Sequence, residues 1–191
     1  MRRVLIKRAL VKIAEKLHIL RYASEEKGNA LIETVVLFPL MTILLIGCYD
    51  LGLGIVLNLK TVGASQIIGD LVTRNREVDM TGLQDMIRAG SLSYEPYSTA
   101  TFGYDIASIE FDDTGAPVVL WRVTHNMEPN DDAVASTEGL GPAGDGMVVV
   151  TTVYVYDPYF TNFVVPEINM EEVAFLKGRM SSTIACDDCP T

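Results

Sequence analysis

The chain has 191 residues, of which 49% are hydrophobic and 21% charged, a balance that excludes wholesale disorder. A formal net charge of −10 argues against a nucleic-acid-binding protein, because phosphate would be repelled. The charge is unevenly placed: the first 28 residues carry eight Lys/Arg against three Glu, and the remainder carries seven against twenty-two acids. A basic head therefore precedes an acidic body.

Within the head, Val4 to Leu20 reads as an amphipathic helix, with Leu5, Ala9, Ile13 and Leu17 opposite Lys7, Arg8, Lys12 and Lys16. Such a helix suits an anionic leaflet, a soluble leader being the alternative. Between Lys27 and Lys60 there is no basic residue, and the only acids are Glu33 and Asp50. Leu31 to Tyr49 makes about 28 Å of helix, close to the hydrocarbon thickness of a bilayer. The remaining chain is too short to surround a helix this apolar, so the run predicts a membrane span. The basic flank places the N-terminus in the cytoplasm and sends the acidic body across the membrane. Inside the span, the Glu33 carboxylate costs about 2–3 kcal/mol or more unless paired. Pro39 removes a backbone donor and is expected to bend or loosen the helix near Val35.

The segment Gly28-Asn29-Ala30-Leu31-Ile32-Glu33, placed between a basic leader and a long apolar run, resembles a type IV prepilin junction. Glu33, Pro39, Gly47, Asp50 and Gly52 further follow an E-x5-P-x7-G-x2-[DE]-x-G spacing, which resembles the TadE-like pseudopilins, minor subunits of the tight-adherence (Tad/Flp) pilus system. The likeness covers roughly residues 28–74 and is thin beyond, where Tyr154-Val-Tyr-Asp-Pro-Tyr-Phe160 is similar to the family. The leader is long, and Thr34 stands where the family often has an aromatic residue.

The resemblance implies cleavage between Gly28 and Asn29 by a prepilin peptidase, of which this chain is a substrate and not itself an enzyme. It implies partnership with other minor and major pilins and with an inner-membrane assembly platform, and assembly of a pilus for surface adherence. The expected organisation is a cytoplasmic leader over residues 1–28, a transmembrane helix over 29–59, and a periplasmic domain over 60–191, single-pass in the inner membrane or carried into an extracellular pilus. After cleavage the Asn29 amine is cationic, and Glu33 is the natural partner for that amine on a neighbouring subunit.

In the body, the helix is expected to continue over Lys60 to Arg76, turning Val62, Ile67 and Leu71 toward a sheet. A short helix follows over Thr81 to Ala89, capped by Thr81. Strands are expected at Asp105–Phe111 and Val118–His125, flanking the turn Asp112-Asp113-Thr114-Gly115, then at Met147–Tyr156 and Glu172–Arg179. Asn126 to Gly146 reads as a mobile loop. The fold class is α+β and pilin-like: one long helix whose stalk packs on a small antiparallel sheet.

Other chemistries are sparse. Cys186 and Cys189 suit a disulfide in an exported domain, with free thiols, a metal pair or a redox pair as alternatives. Asp112/Asp113 and Asp131/Asp132 lack the spacing of a calcium loop and read as solvated charge. His18 and His125 are isolated, so no catalytic constellation and no cofactor are expected. A rival class is a lipid-anchored protein, since Leu45-Ile46-Gly47-Cys48 fits a lipobox. A third is an unprocessed single-pass periplasmic scaffold or binding protein.

Overall fold

A computed structural model describes residues 26–160 and 167–190, with side chains from residue 32 onward. The expected leader helix therefore lies outside the described residues. The chain forms two units, residues 1–48 and 49–191. Helix α1 (Glu26–Thr73) runs from the first into the second and contains Pro39 without interruption. The second unit adds β1 (Glu77–Val78), α2 (Met80–Ser91), a 3-10 turn at Leu92–Tyr94, β2 (Gly103–Phe111), β3 (Pro117–His125), α3 (Asp131–Ala135), β4 (Gly146–Tyr156), β5 (Ile168–Lys177) and β6 (Ala185–Cys186). The class is α+β.

Strands β2 to β5 form one antiparallel sheet in the order β3-β2-β4-β5. Ile106 lies across from Val123 on one side and Val150 on the other, and Val150 lies across from Ala174. With a side-chain period of two, that row faces one way and its neighbours the other. The first face carries Ile106, Trp121, Val148, Val150 and Tyr154 into a core with Leu57, Ala64, Ile68 and Val72 of α1 and Leu83 and Ile87 of α2. The opposite face carries Ala107, Ile109, Phe111 and Val149 into a smaller core with Ala133 and Val134 of α3.

The helix face that packs inward differs from the one expected. Ile67 is exposed and Val62 and Leu71 are half-buried, whereas Leu57, Thr61, Ala64, Ser65, Ile68 and Val72 are buried. Small and hydroxylated residues line this face because their hydroxyls are satisfied locally: Thr61 Oγ1 donates to Leu57 O at 3.0 Å, and Ser65 Oγ to Val62 O at 2.9 Å. The Tyr94 hydroxyl donates to Thr61 Oγ1 at 2.9 Å, and Thr152 Oγ1 to Thr61 O at 3.2 Å, which fixes helix to sheet. Burial pushes the Tyr94 hydroxyl pKa up to about 12, partly offset by that bond to Thr61.

Four further expectations are corrected. Helix α1 ends at Thr73, short of Arg76, and its last carbonyl accepts from Arg179 N at 2.9 Å. Helix α2 is capped by Asp79, whose carboxylate accepts from Gly82 N at 2.8 Å, and not by Thr81. Strand β5 begins at Ile168 rather than Glu172, since Ile168 and Met170 both pack on the main core. The 126–146 segment is not simply a loop but folds a short helix over the second sheet face. The β2–β3 turn is as read: Gly115 takes φ +82°, and Asp112 Oδ1 accepts from Thr114 N at 2.7 Å and Ala116 N at 2.9 Å.

At Gly90, α2 packs tightly against α1. A Cβ there would sit 2.5 Å from Ile68 Cγ1 and 3.2 Å from the Ala64 carbonyl oxygen, whereas one at Gly63 meets nothing within 4 Å. Gly90→Ala should destabilise the full-length protein by about 1–3 kcal/mol, and Gly63→Ala should stabilise it by about 0.5–1 kcal/mol. Denaturant titration in detergent reads both signs; equal effects would contradict this packing.

Candidate functional site

The sequence-nominated residues fall in two separate places. Gly28 and Asn29 lie in α1, close to where the described residues begin. Glu33 is exposed on the same helix, and Cys48, further along, is a free exposed cysteine. Around them, eleven large apolar side chains between Ile32 and Tyr49 are 44–72% exposed. Among the described residues, α1 is the one helix long and apolar enough to cross a membrane, with a mean hydropathy of 2.1 over 18 residues of which 17% are buried.

Cys186 and Cys189 lie far along the chain and are joined by a disulfide. With Asp188 they form the one group among the described residues close enough to hold a metal. Both sulfurs are consumed by the bond, however, and Asp188 Oδ1 accepts from Met80 N at 2.9 Å. The tail works as a strap. Val78 and Cys186 pair in a short parallel ladder, Trp121 Nε1 donates to Ile184 O at 2.7 Å, and Arg122 N donates to Pro190 O at 2.9 Å.

The acidic pairs have divided roles. Asp112 organises the hairpin turn, and the Thr114 hydroxyl, followed by the Ala116 and Thr114 amides, holds its carboxyl below the usual range. Asp131, on α3, pairs with Arg122 at 2.5 Å. His125 is exposed and stacks on Tyr104.

Sequence reasoning missed the charged cluster on the second sheet face. Asp105 is 3% exposed and receives Arg122 through two bonds, Nε to Oδ1 at 2.8 Å and Nη2 to Oδ2 at 2.6 Å. Asn130 N donates to the same Oδ2 at 2.8 Å, and Asn130 Nδ2 reaches Glu171 at 2.7 Å. The Arg122 pKa is raised, first by its bond to Asp105, against the effect of desolvation. The signal was legible in outline: alternation puts Asp105 among apolar residues of β2, where a lone carboxylate requires a partner. A cleft of about 320 Å³ is lined by Leu53, Leu57, Tyr97 and Tyr154, with Ser98, Thr101 and Asp157 among its polar residues.

No protein-family model, curated protein or solved structure matches the chain.

Arg122→Leu strands a buried carboxylate and should destabilise the protein by about 3–5 kcal/mol. Arg122→Leu with Asp105→Leu should recover most of that loss. Denaturant titration of the four corners of the cycle gives the coupling, and additive effects would contradict a paired Asp105.

Proposed function

We propose that the chain is a TadE-like minor pilin: a single-pass inner-membrane protein with a cytoplasmic N-terminus and a periplasmic α+β domain, processed by a prepilin peptidase and used in assembling an adherence pilus. The observation that carries this reading is the bare apolar half of α1, directly preceded by Gly28, Glu33 and a basic leader and directly followed by a packed half. Fully burying one Leu, Ile, Val or Phe is worth about 1.5–3 kcal/mol. Nine such exposed side chains represent on the order of 20 kcal/mol, more than the ~5–15 kcal/mol stability of a domain, so lipid or other helices must cover them. A continuous helix with a naked N-terminal half and a sheet-packed C-terminal half is the pilin plan.

The motif residues then divide the work. Gly28 has no side chain to obstruct the peptidase. Cleavage creates the Asn29 amine. Glu33 forms no ion pair among the described residues and is exposed, so its carboxylate is open to a neighbour's amine when apolar helices bundle. Pairing neutralises both charges in a medium of low dielectric. Pro39 leaves the Val35 carbonyl without its helical donor, which softens the helix inside the span. The lipid-anchored alternative would truncate the product at Cys48 and remove the span.

N-terminal sequencing of the membrane-extracted protein should find a product beginning at Asn29; a product beginning at Met1 or Cys48 excludes the reading. Glu33→Ala should keep this cleavage but reduce crosslinking to other pilins. Removing one partner of a buried pair costs about 3–5 kcal/mol, roughly a hundredfold or more in an assembly equilibrium. Glu33→Gln should fall between, and normal crosslinking by Glu33→Ala would reject the pairing.

A further inference from the structure

We infer that the second unit carries an aromatic foot that seats in the headgroup layer of a phospholipid bilayer. The foot is the turn after β4, Tyr156 to Phe160, folded against the first residues of the packed half of α1. Three interactions hold it. Phe160 N donates to Asp50 Oδ2 at 3.1 Å, the Tyr156 hydroxyl donates to the Asp50 carbonyl at 3.4 Å, and the Tyr49 and Phe160 rings meet edge-on at 6.1 Å. Asp50 itself is 2% exposed, so the turn's backbone is fixed to the helix by a buried group.

A turn fixed so firmly nevertheless presents its large rings to the outside: Tyr159 is 71% exposed, Tyr49 58% and Phe160 56%. Elsewhere in this unit the rings of Trp121, Tyr94 and Phe111 are 2% exposed or less, and that of Phe175 is 44% exposed. An apolar cluster held outward by its own hydrogen bonds is built to meet something. Its position names the occupant. Tyr49 closes the uncharged run that begins at Thr34, and exposed Leu51, Ile55, Val56 and Leu59 carry the apolar surface of the helix on to Lys60, so the cluster lies within the end of the apolar stretch that leads to water. Tyrosine, with an apolar body and a polar tip, partitions to that layer. The body is acidic and Asp157 in the turn is exposed, so attraction to anionic lipid is ruled out as the driving force. The foot takes zwitterionic phospholipid through apolar contact, with little dependence on salt.

This inference rests on the membrane reading above, and the test separates the two. Full-length protein is reconstituted in phosphatidylcholine vesicles brominated near the top of the acyl chains, with tryptophan added by Phe160→Trp, Tyr159→Trp, Phe38→Trp or Leu140→Trp. Phe38 lies in the apolar run and Leu140 in an exposed loop of the second unit, while native Trp121 is buried and supplies a constant background. The added emission of Phe160→Trp and Tyr159→Trp should fall by about half or more relative to unbrominated vesicles, as should that of Phe38→Trp, with Leu140→Trp unchanged. Quenching at 38 without quenching at 159 and 160 overturns the foot alone and leaves the rings to a protein partner. No quenching at 38 overturns the membrane reading and the foot with it.

Discussion

The contact between α1, from Asp50 to Thr73, and one face of the antiparallel sheet organises everything else in the second unit. Its centre is Thr61, whose hydroxyl relays a bond from Tyr94 to the Leu57 carbonyl and whose own carbonyl accepts from Thr152. A buried polar seam of this kind tolerates one register only, because any slip leaves a hydroxyl or carbonyl without a partner at about 1–3 kcal/mol each. Around it, Ala64, Ile68 and Val72 fill the space against Ile106, Val148 and Val150. The helix is thereby immobilised over its second half while its first half offers apolar side chains to the surroundings.

Secondary contacts protect that arrangement. The tail from Arg179 to Pro190 touches α1 at Thr73, α2 at Met80, β1 at Val78 and β3 at Trp121 and Arg122, and the Cys186–Cys189 bond closes its last turn. On the other sheet face, the Asp105–Arg122 pair extends to Asn130 and Asp131 and so ties α3 and its flanking loops down. Charge here fixes a cover over Ile109 and Phe111. Removing either partner is costly even though the intact pair contributes little net stability.

The α+β class, the long helix and the β2, β3 and β4 strands were legible because each rests on a local signal: an unbroken apolar run, β-branched alternation, and a turn built by Asp112 and Gly115. The inward face of α1 was not, because Thr61, Ser65 and Gly69 look polar or empty and reveal their role only when a partner such as Tyr94 or Leu176 arrives from far along the chain. The same holds for the β1–β6 pair, two residues a side, which no propensity marks. Asp79 outcompeted Thr81 as cap because its carboxylate reaches the Gly82 amide while Asp188 takes the Met80 amide. The cysteine pair was readable from spacing, whereas the Asp105–Arg122 cluster needed the strand register to bring its members together.

The central claim is that α1 crosses a bilayer along its bare half and emerges where it packs on the sheet. Thiol mapping in intact cells tests it most directly, using a membrane-impermeant maleimide on a Cys48→Ser, Gly28→Leu background, which blocks cleavage and keeps the leader attached, with either Ser24→Cys or Gln66→Cys. Gln66 is exposed on the packed half of α1, and Ser24 precedes the span. The account predicts labelling of Gln66→Cys once the outer envelope is opened, and labelling of Ser24→Cys only after the inner membrane is also broken. Labelling of both variants, of neither, or in the reverse order would contradict it.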